Sequence, residues 1–228
     1  MKIIAPSHEI LFLPPGTAML ANLELAGRTC YKSEERISEE SARGFVRRLI
    51  ASGHHSVIEH ASISVRFVCD RGVTHELVRH RLAAFSQEST RYANYSQDKF
   101  GGEITVIRPL FWAPGTSAYE LWLNSMRQAE AAYLELLLQG ARPQEARSVL
   151  PNSLKTEIVM TANLREWRHV LNLRGSRASH PQMREIILPL LSHFQAVVPV
   201  VFDDLYQKYQ DDCREMAALM ASLDGTGA

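Results

Sequence analysis

Residues 74–95 read THELVRHRLAAFSQESTRYANY, the densest polar stretch in the chain. His75-Glu76 near its start invites comparison with a zinc-protease helix, where two histidines stand four residues apart on one face. Here the next histidine is His80, five along and off that face, so a zinc site of that kind is not expected. Arg79-His80-Arg81 forms a compact cationic triplet. Successive helical side chains diverge by ~100°, so a regular helix cannot aim all three at one small ligand. Either the helix expected over 73–84 ends here, or the triplet serves two ligands or two subunits; an arbitrary triplet would simply be a solvated face. Beyond it, Ser86, Gln87, Ser89 and Arg91 are too polar for a core and offer donors to phosphate and base edges.

On the N-terminal side, residues 61–69 alternate Ile63, Val65 and Phe67 with Ser62, Ser64 and Arg66, the period of a half-buried strand. Residues 1–6 suggest a short strand and 17–31 a helix. Ser38 is read as the cap of a second helix carrying Phe45, Val46, Leu49 and Ile50 up to Gly53. On the C-terminal side, 103–107 is a short strand and 118–139 the clearest helix. It has Trp122, Met126, Ala129, Tyr133 and Leu136 at helical spacing and Gly140 as its stop. Pro143 opens a short helix, 155–162 reads as a strand, and 163–173 as a helix ending at Gly175. Pro181 suits a first helical turn, and Pro189 and Pro199 are expected to kink or divide the helical stretch beyond it. A final amphipathic helix over 203–223 precedes a small-residue tail at 225–228. Strands are few and do not alternate regularly with helices. The expected class is α+β, with short, mostly antiparallel strands and a large helical complement.

The 228 residues suffice for one sizeable core, and 1–228 is read as a single domain. Charge is balanced at 25 basic and 25 acidic residues, whereas a binder of polymeric nucleic acid carries a basic excess. Of the basic residues 20 are Arg, whose planar fork suits carboxylates and phosphates. Cys30, Cys69 and Cys213 are widely spaced without a CxxC, which fits a reducing cytosol and neither a disulfide framework nor a zinc site. The start MKIIAPSHEI lacks a basic region followed by an apolar run, and no stretch reaches the ~18 apolar residues of a membrane helix. A soluble, cytoplasmic protein is expected.

Two further constellations stand out. His54-His55-Ser56-Val57-Ile58-Glu59-His60 could suggest metal, but adjacent histidines point apart and a loop of satisfied polar groups fits as well. Residues 162–174, ANLREWRHVLNLR, begin with Asn163 and Glu166 spaced as a capping box and end with Arg174 beside Gly175, as suits a helix C-terminus. Arg165, His169 and Asn172 share the face opposite Leu164, Trp167 and Leu171, a stripe suited to an anionic, aromatic ligand. Arg147 lies beside an apolar run before Pro151 and calls for an anionic partner. There is no Gly-x-Gly-x-x-Gly or P-loop, so a Rossmann cofactor site is not expected.

These motifs resemble those of the flavin-dependent thymidylate synthases. Arg79-His80-Arg81 followed after seven residues by Ser89 matches that family's RHRx7S signature. Residues 53–60, 146–151 and 163–174 match its other motifs in order and spacing, so the resemblance spans nearly the whole chain. It implies reductive methylation of dUMP to dTMP, with 5,10-methylenetetrahydrofolate as carbon donor, NADPH as reductant, and hydride passing through FAD. It also implies a homotetramer whose active sites are shared between subunits, with FAD held outside any Rossmann fold.

Carried over residue by residue, the resemblance assigns Ser56, Arg79, His80, Arg81, Gln87, Asn163, Leu164, Arg165 and His169 to FAD. It assigns Glu76, Arg79, Gln87, Ser89, Arg91, Arg147 and Arg174 to dUMP, with Leu77, Val78, Glu88 and Thr90 around them. Arg174 falls where the family places the residue that promotes ionisation at N3 of the uracil, the catalytic role. Glu76 stands where some members have Gln, which suits sugar or base better than phosphate. His169 stands where some have Asn, and a His there could also stack or titrate.

The residue types fit that chemistry. No cysteine lies in a cationic setting that would lower its pKa, so a thiolate nucleophile is not expected. Ser89 lacks an evident His–Asp pair and is read as a ligand-binding group rather than a nucleophile. Two rival readings are an RNA-binding module built on the arginine clusters and a flavoprotein reductase with another acceptor. Zero net charge and the absence of a basic, aromatic-rich motif weigh against the first.

Overall fold

A computed structural model of the chain describes residues 1–224, so the tail at 225–228 lies outside the described residues. The chain begins with β1 (Lys2–Ile4), β2 (Ser7–Phe12), α1 (Gly16–Thr29) and α2 (Ser41–Ala51). Next come β3 (Ser62–Asp70), α3 (Arg71–Leu77), β4 (Ala84–Gln87) and β5 (Thr105–Ile107). The remainder is α4 (Ser117–Leu138), α5 (Pro143–Ala146), β6 (Lys155–Asn163), α6 (Leu164–Arg174), α7 (Pro181–Val197) and α8 (Pro199–Asp224). The fold is α+β, largely helical with a few short, mostly antiparallel strands. One pair runs parallel: β1 lies beside β5 with Lys2 opposite Thr105 and Ile4 opposite Ile107. Among the described residues no helix is long and apolar enough to cross a membrane.

Two compact units form. The first comprises Met1–Ser7, Phe67–Arg79 and Phe85–Val159. In it the end of β3, the start of β6 and β4 lie side by side. α4 buries Tyr119, Trp122, Met126 and Tyr133 against Ile104, Val106 and Leu154. Two polar handles are satisfied there: Tyr133 Oη accepts from the Tyr95 N–H at 3.3 Å, and Trp122 Nε1 donates to Ser153 Oγ at 3.1 Å.

The second unit comprises His8–Arg66, His80–Ala84 and the chain from Met160 onward. β2, the start of β3 and the end of β6 lie side by side in it. α1 packs on α2, and α6 packs on both α7 and α8. A Cβ on Gly27 would stand 2.6 Å from the Phe45 ring, so any larger residue there would have to push that ring aside where α1 meets α2. Trp167 of α6 is fully buried, its ring edge-on to Phe194 at 5.3 Å, and its Nε1 donates to the Ile63 carbonyl at 3.0 Å.

Four local expectations change. The helix expected over 73–84 is shorter: Asp70 caps α3, its Oδ1 accepting from Val73 N–H at 2.7 Å, and the helix stops at Leu77. The burial of His80 and the strand that starts at Ala84 take the chain elsewhere. α2 starts at Ser41 rather than after Ser38, because Ser41 Oγ accepts from the Ser38 N–H and donates to the buried Glu24 at 2.7 Å. Pro189 sits inside α7, while Pro199 opens α8, four residues before the expected start. β2 escaped the sequence pattern because its side chains are mostly exposed and do not alternate in hydrophobicity.

Trp167 fastens α6 into the second unit, which gives a direct test. Trp167→Ala should cost ~3–5 kcal/mol of stability, the scale for deleting a large buried aromatic. A urea titration followed by circular dichroism reads this, and a loss under ~1 kcal/mol would contradict the packing described.

Candidate active site

The site is built on α6. Asn163 caps it, its Oδ1 accepting from the Glu166 N–H at 2.9 Å. Leu164, Trp167, Val170 and Leu171 are buried, while Arg165, His169 and Asn172 lie on the opposite face, as their spacing predicts. Arg168 is buried beside them. It makes a bidentate pair with Asp204 at 2.7 and 2.6 Å and also donates to the Val201 carbonyl, which ties α6 to α8. The capping box expected of Asn163 and Glu166 is only half made. The Glu166 carboxylate turns away from the helix start and faces His80.

His80 is 5% exposed and Glu166 6%. Arg174, in the last turn of α6, donates from Nε to His80 Nε2 at 3.0 Å. On the other side of the ring, Nδ1 lies 3.4 Å from Glu166 Oε1. The His169 ring is edge-on at 5.6 Å. An arginine can only donate, so Nε2 must present its lone pair. The proton of the neutral ring is then on Nδ1, the nitrogen on the Glu166 side of the ring. Burial first, then the Arg174 cation and His169, push the His80 pKa down from 6.5 to about 4.

His80, Glu166 and His169 bring ligand-type atoms within 4.8 Å of one another. Two histidines and a carboxylate are a metal-binding set in principle. The Arg174 bond argues against it: with Nε2 accepting from Arg174, a cation on Nδ1 would require the ring to lose its last proton. The cluster is a buried polar group in which Arg174 hydrogen-bonds His80, with the Glu166 carboxylate and the His169 ring beside the imidazole.

Beside it, Asn163, Arg165, Glu166 and His169 line a cleft of about 480 Å³ with Leu82 and Glu59. Arg165 also borders hollows of about 430 Å³ with Ser56 and of about 320 Å³ with His169 and Asn172. Volumes of this size suit a cofactor-sized ligand. The donor set suits a flavin dinucleotide: a guanidinium for phosphate, and an amide and an imidazole for the ring's carbonyls and nitrogens. Arg165 is paired with Glu59 at 2.5 Å, both well exposed. Such a pair contributes at most ~1 kcal/mol, so an entering phosphate can take over the guanidinium at little cost. Of the other residues expected at the cofactor, Ser56 and Arg81 are exposed, while Leu164 is buried and offers only its backbone.

The residues expected at dUMP lie in the first unit, apart from Arg174. Arg91 Nε donates to Gln144 at 3.1 Å, Arg147 reaches Thr90 Oγ1 at 3.4 Å, and Ser89 Oγ accepts from the Arg91 N–H at 3.3 Å. These contacts gather two exposed arginines and a serine at one corner, a fit to a phosphate monoester. Gln87 donates to Thr74 and Thr156 at 3.0 and 3.3 Å, which leaves its carbonyl as an acceptor for a ligand N–H. Glu88 is held by Lys155 and Tyr95, both at 3.0 Å. Arg79 and Val78 are exposed, Glu76 is half-buried, and Leu77 and Thr90 are buried. Arg79 donates from Nε to the His75 carbonyl at 3.3 Å.

Sequence reasoning missed Glu59 and Glu166. Glu166 was masked by its good fit to a cap. Glu59 lies 106 positions from Arg165, and no local pattern links the two.

Known proteins share both the sequence and the fold. Residues 17–200 match the family described as thymidylate synthase complementing protein. A flavin-dependent thymidylate synthase of Mycobacterium tuberculosis is 34% identical over 209 residues, covering 86% of this chain and 84% of the relative. That of Corynebacterium glutamicum is 32% identical over 223 residues, covering 90% and 86%. A UMP/dUMP methylase of Streptomyces cacaoi, solved with 5-Br dUMP, superposes with a TM-score of 0.72 at 24% identity, covering 89% of this chain and 96% of that one. This last likeness establishes the shared fold.

The lowered pKa of His80 has a sign that can be measured. The folded state resists protonating His80 while the unfolded state takes the proton near 6.5, so stability falls as the pH drops from 6.5 towards 4. His8, pushed down to about 4 by burial and by His193, acts in the same window. Thermal melts of His80→Gln should therefore show a shallower loss across that window than the parent, with His8→Gln as the separate control. Equal slopes for parent and His80→Gln would mean that His80 is not held neutral.

Proposed function

The chain belongs to the thymidylate synthase complementing protein family and carries flavin-dependent thymidylate synthase activity; from that premise we propose how its residues divide the work. The substrate is dUMP and the product dTMP. The carbon comes from 5,10-methylenetetrahydrofolate and the electrons from NADPH. The enzyme works in the cytoplasm as a homotetramer with active sites shared between subunits, each chain serving as one catalytic domain, residues 1–228. The uracil nucleotide bound by the Streptomyces cacaoi methylase supports the choice of substrate.

One observation carries the reading: Arg174 is a cation with a fixed direction, held through its Nε by a buried neutral histidine. A fixed cation stabilises charge developing at uracil N3 without reorganising during the reaction, which makes Arg174 the catalytic group. Arg91, Arg147 and Ser89 hold the nucleotide phosphate, each charge-assisted bond contributing ~1.5–3 kcal/mol. Gln87 reads the base, with Arg79, Glu76, Glu88, Thr90, Leu77 and Val78 shaping its surroundings. Asn163, Arg165, His169 and Ser56, with Arg79, Arg81, Gln87 and the Leu164 backbone, hold FAD; His80 acts beside them by keeping Arg174 in place. When bound, FAD supplies the two-electron chemistry that these side chains lack.

The cysteines are poorly suited to a thiolate mechanism. Burial pushes the thiols of Cys69 and Cys213 up, so neither is ionised near neutrality. Cys30 is exposed, its thiol bonded to the Ala26 carbonyl at 3.8 Å.

The purified, FAD-loaded protein should form dTMP from dUMP, methylenetetrahydrofolate and NADPH, and failure with all components present would overturn the reading. Replacing Cys30, Cys69 and Cys213 together by Ser should leave that turnover largely intact in the folded fraction. Arg174→Lys should keep its flavin and its reduction by NADPH but lose most of the dUMP-dependent flavin oxidation in stopped flow, because Lys cannot reproduce the fork held by His80. A near-normal oxidation rate would reduce Arg174 to a helix-end charge.

A further inference from the structure

We propose that Thr74 is a positioning residue: its hydroxyl fixes the Gln87 amide with Oε1 left over, so that this position accepts an imide N–H from the ligand and refuses a bare ring nitrogen. The proposal rests on the assignment of Gln87 to the ligands, while the orientation of the amide stands on geometry alone. Gln87 ends β4, and the next residue is tied to β6 by the Glu88 N–H, which donates to the Glu157 carbonyl at 2.8 Å. Its amide nitrogen meets two buried hydroxyls, Nε2 standing 3.0 Å from Thr74 Oγ1 and 3.3 Å from Thr156 Oγ1. No donor among the described residues meets Gln87 Oε1.

The two threonines are not equivalent. A hydroxyl has one proton and two lone pairs. Thr74 Oγ1 lies 2.8 Å from the Arg71 carbonyl, which can only accept, so the Thr74 proton is committed there. Towards Gln87 it shows only a lone pair, which would repel a carbonyl at that distance. The amide must therefore place its NH2 on this side. Thr156 makes no such second bond among the described residues, and its hydroxyl can accept from an NH2 or donate to a carbonyl. Thr156 satisfies either orientation. Thr74 decides between them.

A fixed acceptor sorts ligands by their hydrogen-bonding edge. Uracil and the isoalloxazine ring each carry an imide N–H between two carbonyls, whereas cytosine has a bare nitrogen at the corresponding position. Facing that nitrogen, Oε1 would leave two lone pairs opposed and unpaired, the kind of mismatch that rejects an analogue most strongly. An amide free to turn would lose this selectivity, because its NH2 serves cytosine as its carbonyl serves uracil.

Thr74→Val keeps the shape and removes the lone pair, whereas Thr74→Ser keeps the hydroxyl. The first measurement needs no turnover: hydrogen exchange of the Gln87 side-chain NH2 in the FAD-loaded protein, its signals assigned by their loss in Gln87→Ala. Exchange should be slow in the parent and in Thr74→Ser, and faster in Thr74→Val. Unprotected NH2 protons in the parent would overturn the proposal whatever the enzyme does.

The second measurement is calorimetric titration of the FAD-loaded protein with dUMP and with dCMP. In Thr74→Val the amide should divide between its two orientations, which weakens dUMP only about twofold. The preference for dUMP over dCMP should narrow ~10-fold or more, the scale of one hydrogen bond made or lost. Thr74→Ser should restore the preference, and Thr156→Val should keep it. A narrowed preference assigns Oε1 to uracil, while an unchanged one with faster loss of FAD on dialysis assigns it to the flavin imide. Equal weakening of both nucleotides with FAD retained, or no change in either ligand, would make Thr74 merely structural. If Thr74→Val does not fold, Thr156→Val carries the test, since lost discrimination there would mean that Thr74 does not set the amide. Should the parent bind no dUMP, the functional reading fails, while the exchange measurement still decides what Thr74 does to Gln87.

Discussion

An arginine can give a hydrogen bond but never take one, and that one-sidedness organises the centre of this protein. Because Arg174 presents Nε–H to His80, the imidazole must turn a bare nitrogen towards it and keep its proton for the far side. On the far side the Glu166 carboxylate stands 3.4 Å from Nδ1. Burial, and then the neighbouring Arg174 cation, make a second proton on this ring expensive. The tautomer stems from the donor-only character of one guanidinium, and the charge state from burial beside it.

The same centre explains why α6 is so firmly anchored. Asn163 fixes its first turn, Trp167 plugs it into the core against Phe194, and Arg168 bolts it to α8 through Asp204. Arg165 and His169 then emerge from a rigid base, and Arg174 arrives at the last turn already aimed. A helix held only by its apolar stripe could rock about its axis. The Arg168–Asp204 pair resists that rotation, and as an isolated stabiliser it would be poorly chosen, since burying charge is costly.

Much of this was legible from residue patterns, for reasons that can be named. Ile63, Val65 and Phe67 alternate because one face of β3 is buried, and every one of them is fully covered. The polar stripe Arg165-His169-Asn172 comes from helical periodicity alone. The end of α3 did not, because Thr74 to Ala84 has no helix breaker and the cause of its ending is non-local. His80 is drawn towards Arg174, 94 positions away. β2 and the parallel pairing of β1 with β5 were equally invisible, since short, mostly exposed strands carry little hydrophobic signal. Local rules also gave Glu166 a satisfactory job as a cap, which hid its real contact.

The pairing of Glu59 with Arg165 makes this cleft a discriminating one. Any small anion in solution finds the guanidinium already engaged by a carboxylate tethered to the same chain, whose effective concentration is on the order of millimolar. A lone phosphate or acetate must compete with that internal rival and gains little from replacing it. A ligand that reaches Arg165 while also meeting Asn163 and His169 adds contacts that Glu59 cannot match. The cleft therefore counts simultaneous contacts rather than charge, and background anions do not hold it shut against a larger guest.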